Sequence, residues 1–218
     1  MKIKFLGHAS FLITTAEGTR VQFDPYEPGG FNGAIGYGPF TEAADIVVVS
    51  HDHADHGYVA AVPGNPQVVT GATSQNIRGL ELLRHKTYHD ANQGGKRGEN
   101  IITVCRAEGL SVCHLGDLGH LLSAEDVKAL GKVEVLLVPV GGLFTIDAEA
   151  ATKVMASLAP KICIPMHYKT PKAGFPIAPI DGFLHGKKNV KRLGKSEVEI
   201  SAKGLPKETE IWVLEPAL

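Results

Sequence analysis

Cysteine, aromatic side chains and net charge are all scarce in this 218-residue chain. Only Cys105, Cys113 and Cys163 occur, an odd number without paired spacing. That argues against a disulfide framework and for reduced thiols in a reducing compartment. Each lies in an apolar run, where a buried structural thiol is the expected state. No stretch approaches the roughly 20 apolar residues that a membrane-spanning helix needs. The opening Met1-Lys2-Ile3-Lys4 leads straight into a strand-like run rather than a signal peptide, so a cytoplasmic protein is expected. A formal net charge of −1 leaves no broadly basic surface, and nucleic acid is not the expected partner.

What remains is the composition of an ordinary globular protein, with 44% hydrophobic and 21% charged residues. A chain this long buries roughly 70% of its unfolded surface, so its core needs no disulfide or structural metal. There is no low-complexity segment, linker or internal repeat, and a single domain over 1–218 is expected. Oligomeric state is open, although exposed sheet edges would permit a homo-oligomer.

Strands are expected at Lys2–Leu6, Ser10–Thr14 and Arg20–Phe23, forming an antiparallel meander with a turn at Glu17-Gly18. The Gly- and Pro-rich segment from Glu27 to Pro39 reads as a long functional loop, such as an active-site wall. Ile46-Val47-Val48-Val49 reads as a strand buried on both faces. Further strands are expected near Val68–Thr70 and Lys86–Tyr88, with a short helix around Leu80–Arg84 between them. Ile101–Arg106 and Leu110–Leu115 read as a hairpin turning at Glu108-Gly109. Ser123 is expected to cap a helix to about Leu130, with Asp126 at its third position. A strand at Val135–Val138, a helix over Asp147–Leu158 and a strand at Lys161–Ile164 follow. Strands near Val198–Ser201 and Ile211–Leu214 complete the chain. This order fits two sheets with helices on their outer faces.

The densest chemistry is Ser50-His51-Asp52-His53-Ala54-Asp55-His56-Gly57, directly after a buried strand. Imidazole nitrogen and carboxylate oxygen suit zinc, iron or manganese, and a turn lets alternate residues face different ions. A rigid sheet fixes where such a loop begins.

This segment matches the His-x-His-x-Asp-His signature of the metallo-β-lactamase superfamily, and the chain resembles that superfamily over nearly its whole length. The resemblance implies an α+β fold, a four-layer αββα sandwich with two divalent metal ions at one end of the sheets. It implies that His51, His53 and His89 bind one ion, and Asp55, His56 and His167 the other. Asp117, in Leu115-Gly116-Asp117, would be shared between them. His114, inside the hairpin strand, is the rival to His89. Zinc is the expected metal, with manganese, iron or nickel as alternatives.

Asp24, in Phe23-Asp24-Pro25, resembles another superfamily motif and would orient a ligand imidazole. Together with Gly7-His8-Ala9-Ser10, it looks like the branch containing ascorbate-6-phosphate lactonase-like proteins and N-acyl phosphatidylethanolamine phospholipase D. His8, His120 and Tyr168 are candidates for contact with substrate or with the ligands, each against a plain structural alternative. His85 and His185 have no motif support. Gly186 to Arg192 is a basic run, read as a solvated loop or as a patch attracting anions.

The implied activity is hydrolysis of an ester, lactone, amide or phosphodiester in a small molecule, with anionic molecules among the candidates, by water activated between the metals. Asp117 and Asp55 are the candidate catalytic carboxylates. Two other classes stay open, a nuclease of the same fold and a non-catalytic metal-binding scaffold. A diiron redox enzyme is a further relative, but the chain has no room for an added flavin domain.

Overall fold

The computed structural model describes residues 1–218. Its first half contains β1 (Lys2–Gly7), β2 (Ser10–Thr14), β3 (Arg20–Phe23), β4 (Ile46–Val48), β5 (Gln67–Val69), β6 (Gln75–Ile77) and β7 (Leu80–Tyr88). The second half adds β8 (Glu99–Ala107), β9 (Leu110–His114), β10 (Val135–Pro139) and β11 (Ile162–Met166). Short strands β12 (Val190–Arg192), β13 (Glu197–Glu199) and β14 (Glu210–Val213) finish it. They form a six-stranded sheet, β13-β1-β2-β3-β4-β5, and an eight-stranded sheet, β12-β14-β11-β10-β9-β8-β7-β6.

The two sheets face each other across one apolar layer. Alternation decides which side chains enter it: Ile3, Phe5, Ile13, Ile46 and Val48 from one sheet meet Leu82, Val112, Leu137 and Ile164 from the other. Residues of opposite parity face outward. On the eight-stranded sheet, Val104, Leu136, Val138 and Cys163 pack under the helix Ala148–Leu158 through Val154 and Leu158. On the six-stranded sheet, Leu12, Val47 and Val49 pack instead under Tyr26, Ile35, Tyr37 and Phe40. That outer layer is thus largely the glycine-rich irregular chain rather than helix.

Both expected helix caps are present. Ser123 and Asp126 exchange bonds in a capping box ahead of Ala124–Leu130, and the Asp147 side chain accepts from the Ala150 amide. The helix expected around Leu80–Arg84 is instead the first half of β7. Leu80, Leu82 and Arg84 are buried in alternation, which is strand periodicity. Leu80 and Leu82 are also paired to β6 around the turn at Arg78-Gly79. A helix there would have put the two leucines on different faces.

The basic run is likewise ordered. Val190–Arg192 is an edge strand on β14, Lys191 pairs with Glu210 at 2.8 Å, and Arg192 pairs with Asp181 at 3.1 Å. Lys187 donates to the Phe183 carbonyl and to Thr152 Oγ1. All three cysteines are free and buried.

Topology sets the place of the functional site. β1 and β3 are both antiparallel to β2, and β4 is parallel to β3. β7 and β9 are both antiparallel to β8, while β10 and β11 run parallel to β9. Hence β1, β3 and β4 end at one edge of their sheet, and β7, β9 and β11 end at one edge of theirs. His8, Asp24, the loop 50–57, His89, Asp117 and His167 all follow those carboxyl ends.

Candidate metal centre

Three of these strand-end residues take left-handed backbone although they are not glycine: His8 (φ 55°), Asp24 (φ 42°) and His167 (φ 50°). Each such residue costs about 1–2 kcal/mol, and such strain gathers where a side chain must be aimed. The His8 carbonyl accepts the His167 amide at 2.8 Å, which ties the ends of the two sheets together. Gly116 (φ 55°) precedes Asp117 where a Cβ would lie 2.3 Å from Asn100 Oδ1 and 2.6 Å from Ser50 Cβ.

Asp24 organises the loop after β4. Its Oδ1 accepts the Ser50 amide at 2.8 Å, and its Oδ2 accepts Ser50 Oγ at 2.6 Å and His56 Nδ1 at 2.8 Å. Because Ser50 Oγ donates to Asp24, it accepts from His51 Nδ1, 2.9 Å away. Both imidazoles therefore keep their proton on Nδ1 and present a lone pair at Nε2.

The ligand-type atoms fall into two neighbouring groups, His51, His53 and His89 in one, and His8, Asp55, His56 and His167 in the other, with a third triad, Asp24, His51 and His56, overlapping both. Within each group they lie within 4.8 Å of one another. Asp117 stands between the groups. Its Oδ1 is 3.1 Å from His56 Nε2, and its Oδ2 is 3.1 Å from His89 Nε2 and 3.5 Å from His167 Nε2. His51 Nε2 lies 3.9 Å from that second oxygen.

Six buried polar side-chain atoms lack a hydrogen bond, and all belong to this cluster: His8 Nδ1, His51 Nε2, His56 Nε2, His89 Nδ1, His167 Nδ1 and Asp117 Oδ1. Buried polar atoms left unpaired are costly, roughly 1–3 kcal/mol each, so their concentration here marks a place made for cations. Nitrogen and carboxylate donors without sulfur suit zinc, manganese, iron or nickel. The residues present therefore fit a divalent metal centre.

Protonation agrees with that fit. Burial pushes His51 and His167 each down to about 3 and also lowers His53, so neutral rings face the donor space. Burial alone would raise Asp117, but His167, His56 and His89 hold it well below the carboxylate range. Burial likewise opposes the charged form of Asp55, and His56 and His8 outweigh it. Burial would lower His56 as well, yet Asp117 and Asp55 draw a proton toward it, raising it well above its ordinary value. A divalent cation would supply that positive charge in the proton's place.

The neighbouring candidates divide. His8 is buried within the second group, with Nε2 3.1 Å from Asp55 Oδ2 and its ring centroid 4.2 Å from that of His167. His120 is held by backbone, accepting the Tyr88 amide at Nε2 and donating to the Leu121 carbonyl from Nδ1. Tyr168 packs into the apolar layer beneath the helices. The structure does not bring either of these two to the donor atoms. His114 has both ring nitrogens engaged, with the Ala9 carbonyl and the Gly116 amide, and its ring stacks on Phe23.

Two supporting residues carry no motif and were not anticipated. Asn100 is fully buried, donates to Thr87 Oγ1 and the Leu115 carbonyl, and accepts the Asp117 amide at 2.9 Å. Arg84 is buried and spends its guanidinium on the carbonyls of Gly71 and Val49 and on Thr103 Oγ1. It holds the end of the strand that feeds the metal loop. The one cue was an arginine on the apolar parity of β7.

A cavity of about 430 Å³ opens onto His53, Asp55, His89 and Asp117. Its walls include Phe31, Phe144 and Phe175, and its rim carries Asp52, Lys96 and Arg97. A second groove, also lined by Arg97, runs past His51 and His53.

The arrangement has close relatives. Residues 2–167 match the model of the β-lactamase superfamily domain. A UPF0173 metal-dependent hydrolase of Carboxydothermus hydrogenoformans is 32% identical over 196 residues, covering 78% of this chain and 85% of its own. Another from Archaeoglobus fulgidus is 27% identical over 99% of this chain and 96% of its own. Among solved structures, a Thermotoga maritima protein assigned as a Zn-dependent hydrolase superposes with a TM-score of 0.80. It is 36% identical, and the match covers 98% of both chains. With paired sheets, a strand-end His/Asp cluster and a family model covering most of its length, the chain belongs to the metallo-β-lactamase superfamily.

Proposed function

We propose that this protein is a binuclear metal-dependent hydrolase of small-molecule esters, lactones, amides or phosphodiesters. One observation carries the reading: the Asp117 carboxylate faces both donor groups at once, with His89 3.1 Å from one oxygen and His56 3.1 Å from the other. His51, His53 and His89 would hold one ion and Asp55, His56 and His167 the second, with Asp117 common to both. Relatives named as metal-dependent hydrolases support the assignment. So does the absence of any nucleophile-elbow pattern around Gly116-Asp117.

The ions, when bound, lower the pKa of water toward neutrality and polarise the scissile bond. The chain's own residues do the rest. Asp24 keeps His56 in the tautomer that offers Nε2, and Ser50 does the same for His51. Asp55 and Asp117 border the cavity and stay ionised, so each can accept a hydrogen bond from the attacking water and aim it. His8 steadies Asp55 through its 3.1 Å contact. Exposed His53 leaves the first group open toward solvent, where substrate would arrive. Both sheets contribute ligands, which fits residues 1–218 acting as one domain. The three buried free thiols fit a reducing, cytoplasmic setting.

The test is metal content of purified protein by mass spectrometry, alongside hydrolysis of a phosphodiester, a lactone, a carboxylester and an amide. Zinc or another divalent metal at about two per chain, lost together with turnover in Asp117→Ala, is the expected result. A folded protein that takes up no metal after reconstitution defeats the proposal. Bound metal without turnover on any substrate would favour a scaffold, and turnover confined to nucleic acid would make it a nuclease.

A further inference from the structure

The cavity beside the metal centre has two chemically distinct walls. Phe31, Phe175 and Phe144 form one of them, a continuous aromatic surface. The Phe31 and Phe175 rings are 5.4 Å apart in an edge contact, and the Phe175 and Phe144 rings are 6.2 Å apart. Phe31 is 50% exposed and sits at φ 52°, a left-handed position inside a glycine-rich turn. A large aromatic kept half in solvent on unfavourable backbone costs stability twice, and this one lines a cavity.

The other wall is cationic and rigidly held. Asp90, next to His89, gathers four backbone amides into its carboxylate. Oδ1 accepts Asn92 at 2.7 Å and Gly94 at 3.2 Å, and Oδ2 accepts Lys96 at 2.9 Å and Arg97 at 2.7 Å. Gly119 passes so close beneath this loop that a Cβ there would lie 2.3 Å from the Asp90 amide. The loop is therefore locked to the candidate ligand His89. It offers Lys96 and Arg97 to the cavity with no carboxylate partner, since the chain's ion pairs occupy other cations. The Arg97 guanidinium stands over the Phe144 ring at 5.5 Å, where the two walls meet. Asp52 is the only rim carboxylate outside the donor set, so the rim keeps a positive balance.

We propose that the substrate is a soluble small molecule joining an apolar or aromatic group to an anionic group. The apolar part lies on Phe31, Phe144 and Phe175, the carboxylate or phosphate lies on Lys96 and Arg97, and the scissile bond falls over Asp55 and Asp117. This rests on the hydrolase reading for the bond cleaved, but the anion subsite itself can be tested by binding alone.

The experiment is calorimetric titration of the metal-loaded protein with 4-phenylbutyrate, 3-phenylpropylphosphonate and the neutral 4-phenylbutanol. Both anions are expected to bind about tenfold or more tightly than the alcohol, at an ionic strength low enough to limit screening. The Lys96→Ala/Arg97→Ala double variant is expected to lose about tenfold for the anions and less than about twofold for the alcohol. Phe31→Ala is expected to weaken all three probes about threefold. Both sets of substitutions are at solvent-exposed or half-exposed positions, and a thermal melt checks that the variants fold. The carboxylate and phosphonate arms separate the two anion types. Anions that bind no better than the alcohol, or that bind the double variant as tightly as the native protein, would overturn the proposal. Selective anion binding without turnover of any ester, lactone, amide or phosphodiester would instead remove the hydrolase reading and leave the subsite standing.

Discussion

Asp24 and His56, 32 residues apart, are joined by a 2.8 Å hydrogen bond between Asp24 Oδ2 and His56 Nδ1. Asp24 directly follows β3 and His56 lies in the loop after β4, so this bond converts the parallel pairing of two strands into the aim of a ring nitrogen. Asp24→Ala would free the His56 ring and release Ser50. Metal affinity, read by competition with a chelator, is expected to fall about 10–100-fold. Unchanged affinity would mean that the loop holds its shape without the carboxylate.

Asn100 should matter more for folding than its place in a hairpin strand suggests. Asn100→Ala leaves the Leu115 carbonyl and the Asp117 amide buried without their partner. A loss of about 2–3 kcal/mol is expected in denaturant unfolding of the metal-free protein. A loss below about 0.5 kcal/mol would indicate that water replaces the amide.

Gly116 admits no side chain. The left-handed φ of 55° and the close approach of Asn100 and Ser50 act together. Gly116→Ala is expected to cost about 2–4 kcal/mol from backbone strain and overpacking. It should also weaken metal binding, because Asp117 follows directly. Thermal melts with and without metal separate the two effects, and a variant as stable as the parent would refute the packing argument.

The metal-free protein should lose stability in acid. His51 and His167 sit at about 3 in the fold through burial, against roughly 6.5 in the unfolded chain. Below about 6.5 the unfolded state takes up protons that these rings refuse, so stability falls as pH drops from about 6.5 toward 4. His56 has the opposite sign: its raised value adds stability below about 6.5 that fades as pH climbs through the folded pKa. Melting temperature of chelator-treated protein should therefore peak near neutrality. A flat profile between pH 4 and 6.5 would contradict the burial of these rings.

Local chemistry explains which features were legible in advance. Ser123 and Asp147 cap the helices they were expected to cap, because a cap depends on residues within one turn. The hairpin at Glu108-Gly109 was readable because its turn demands left-handed backbone. Leu80–Arg84 misled because a short stretch with several leucines fits either period, and pairing with β6 and β8 decides between them. The outer layer over the six-stranded sheet was not legible either. Tyr26, Ile35, Tyr37 and Phe40 have no periodicity and become a layer only by packing on Val47 and Val49.

By itself, the sequence determined the donor types, their order along the chain and the strand after which each would fall. Those properties are written in residue identity and short-range pattern. Tertiary structure alone decided which donors meet. Strands β1, β3, β4, β7, β9 and β11 had to end at a common edge before His8, His89, Asp117 and His167 could share a space. The same packing turned His120 and Tyr168 away from the donors, and made Asn100 and Arg84 structural supports. A side chain's neighbours across two sheets depend on register and on burial summed over the core, and neither quantity is carried by any local stretch of chain.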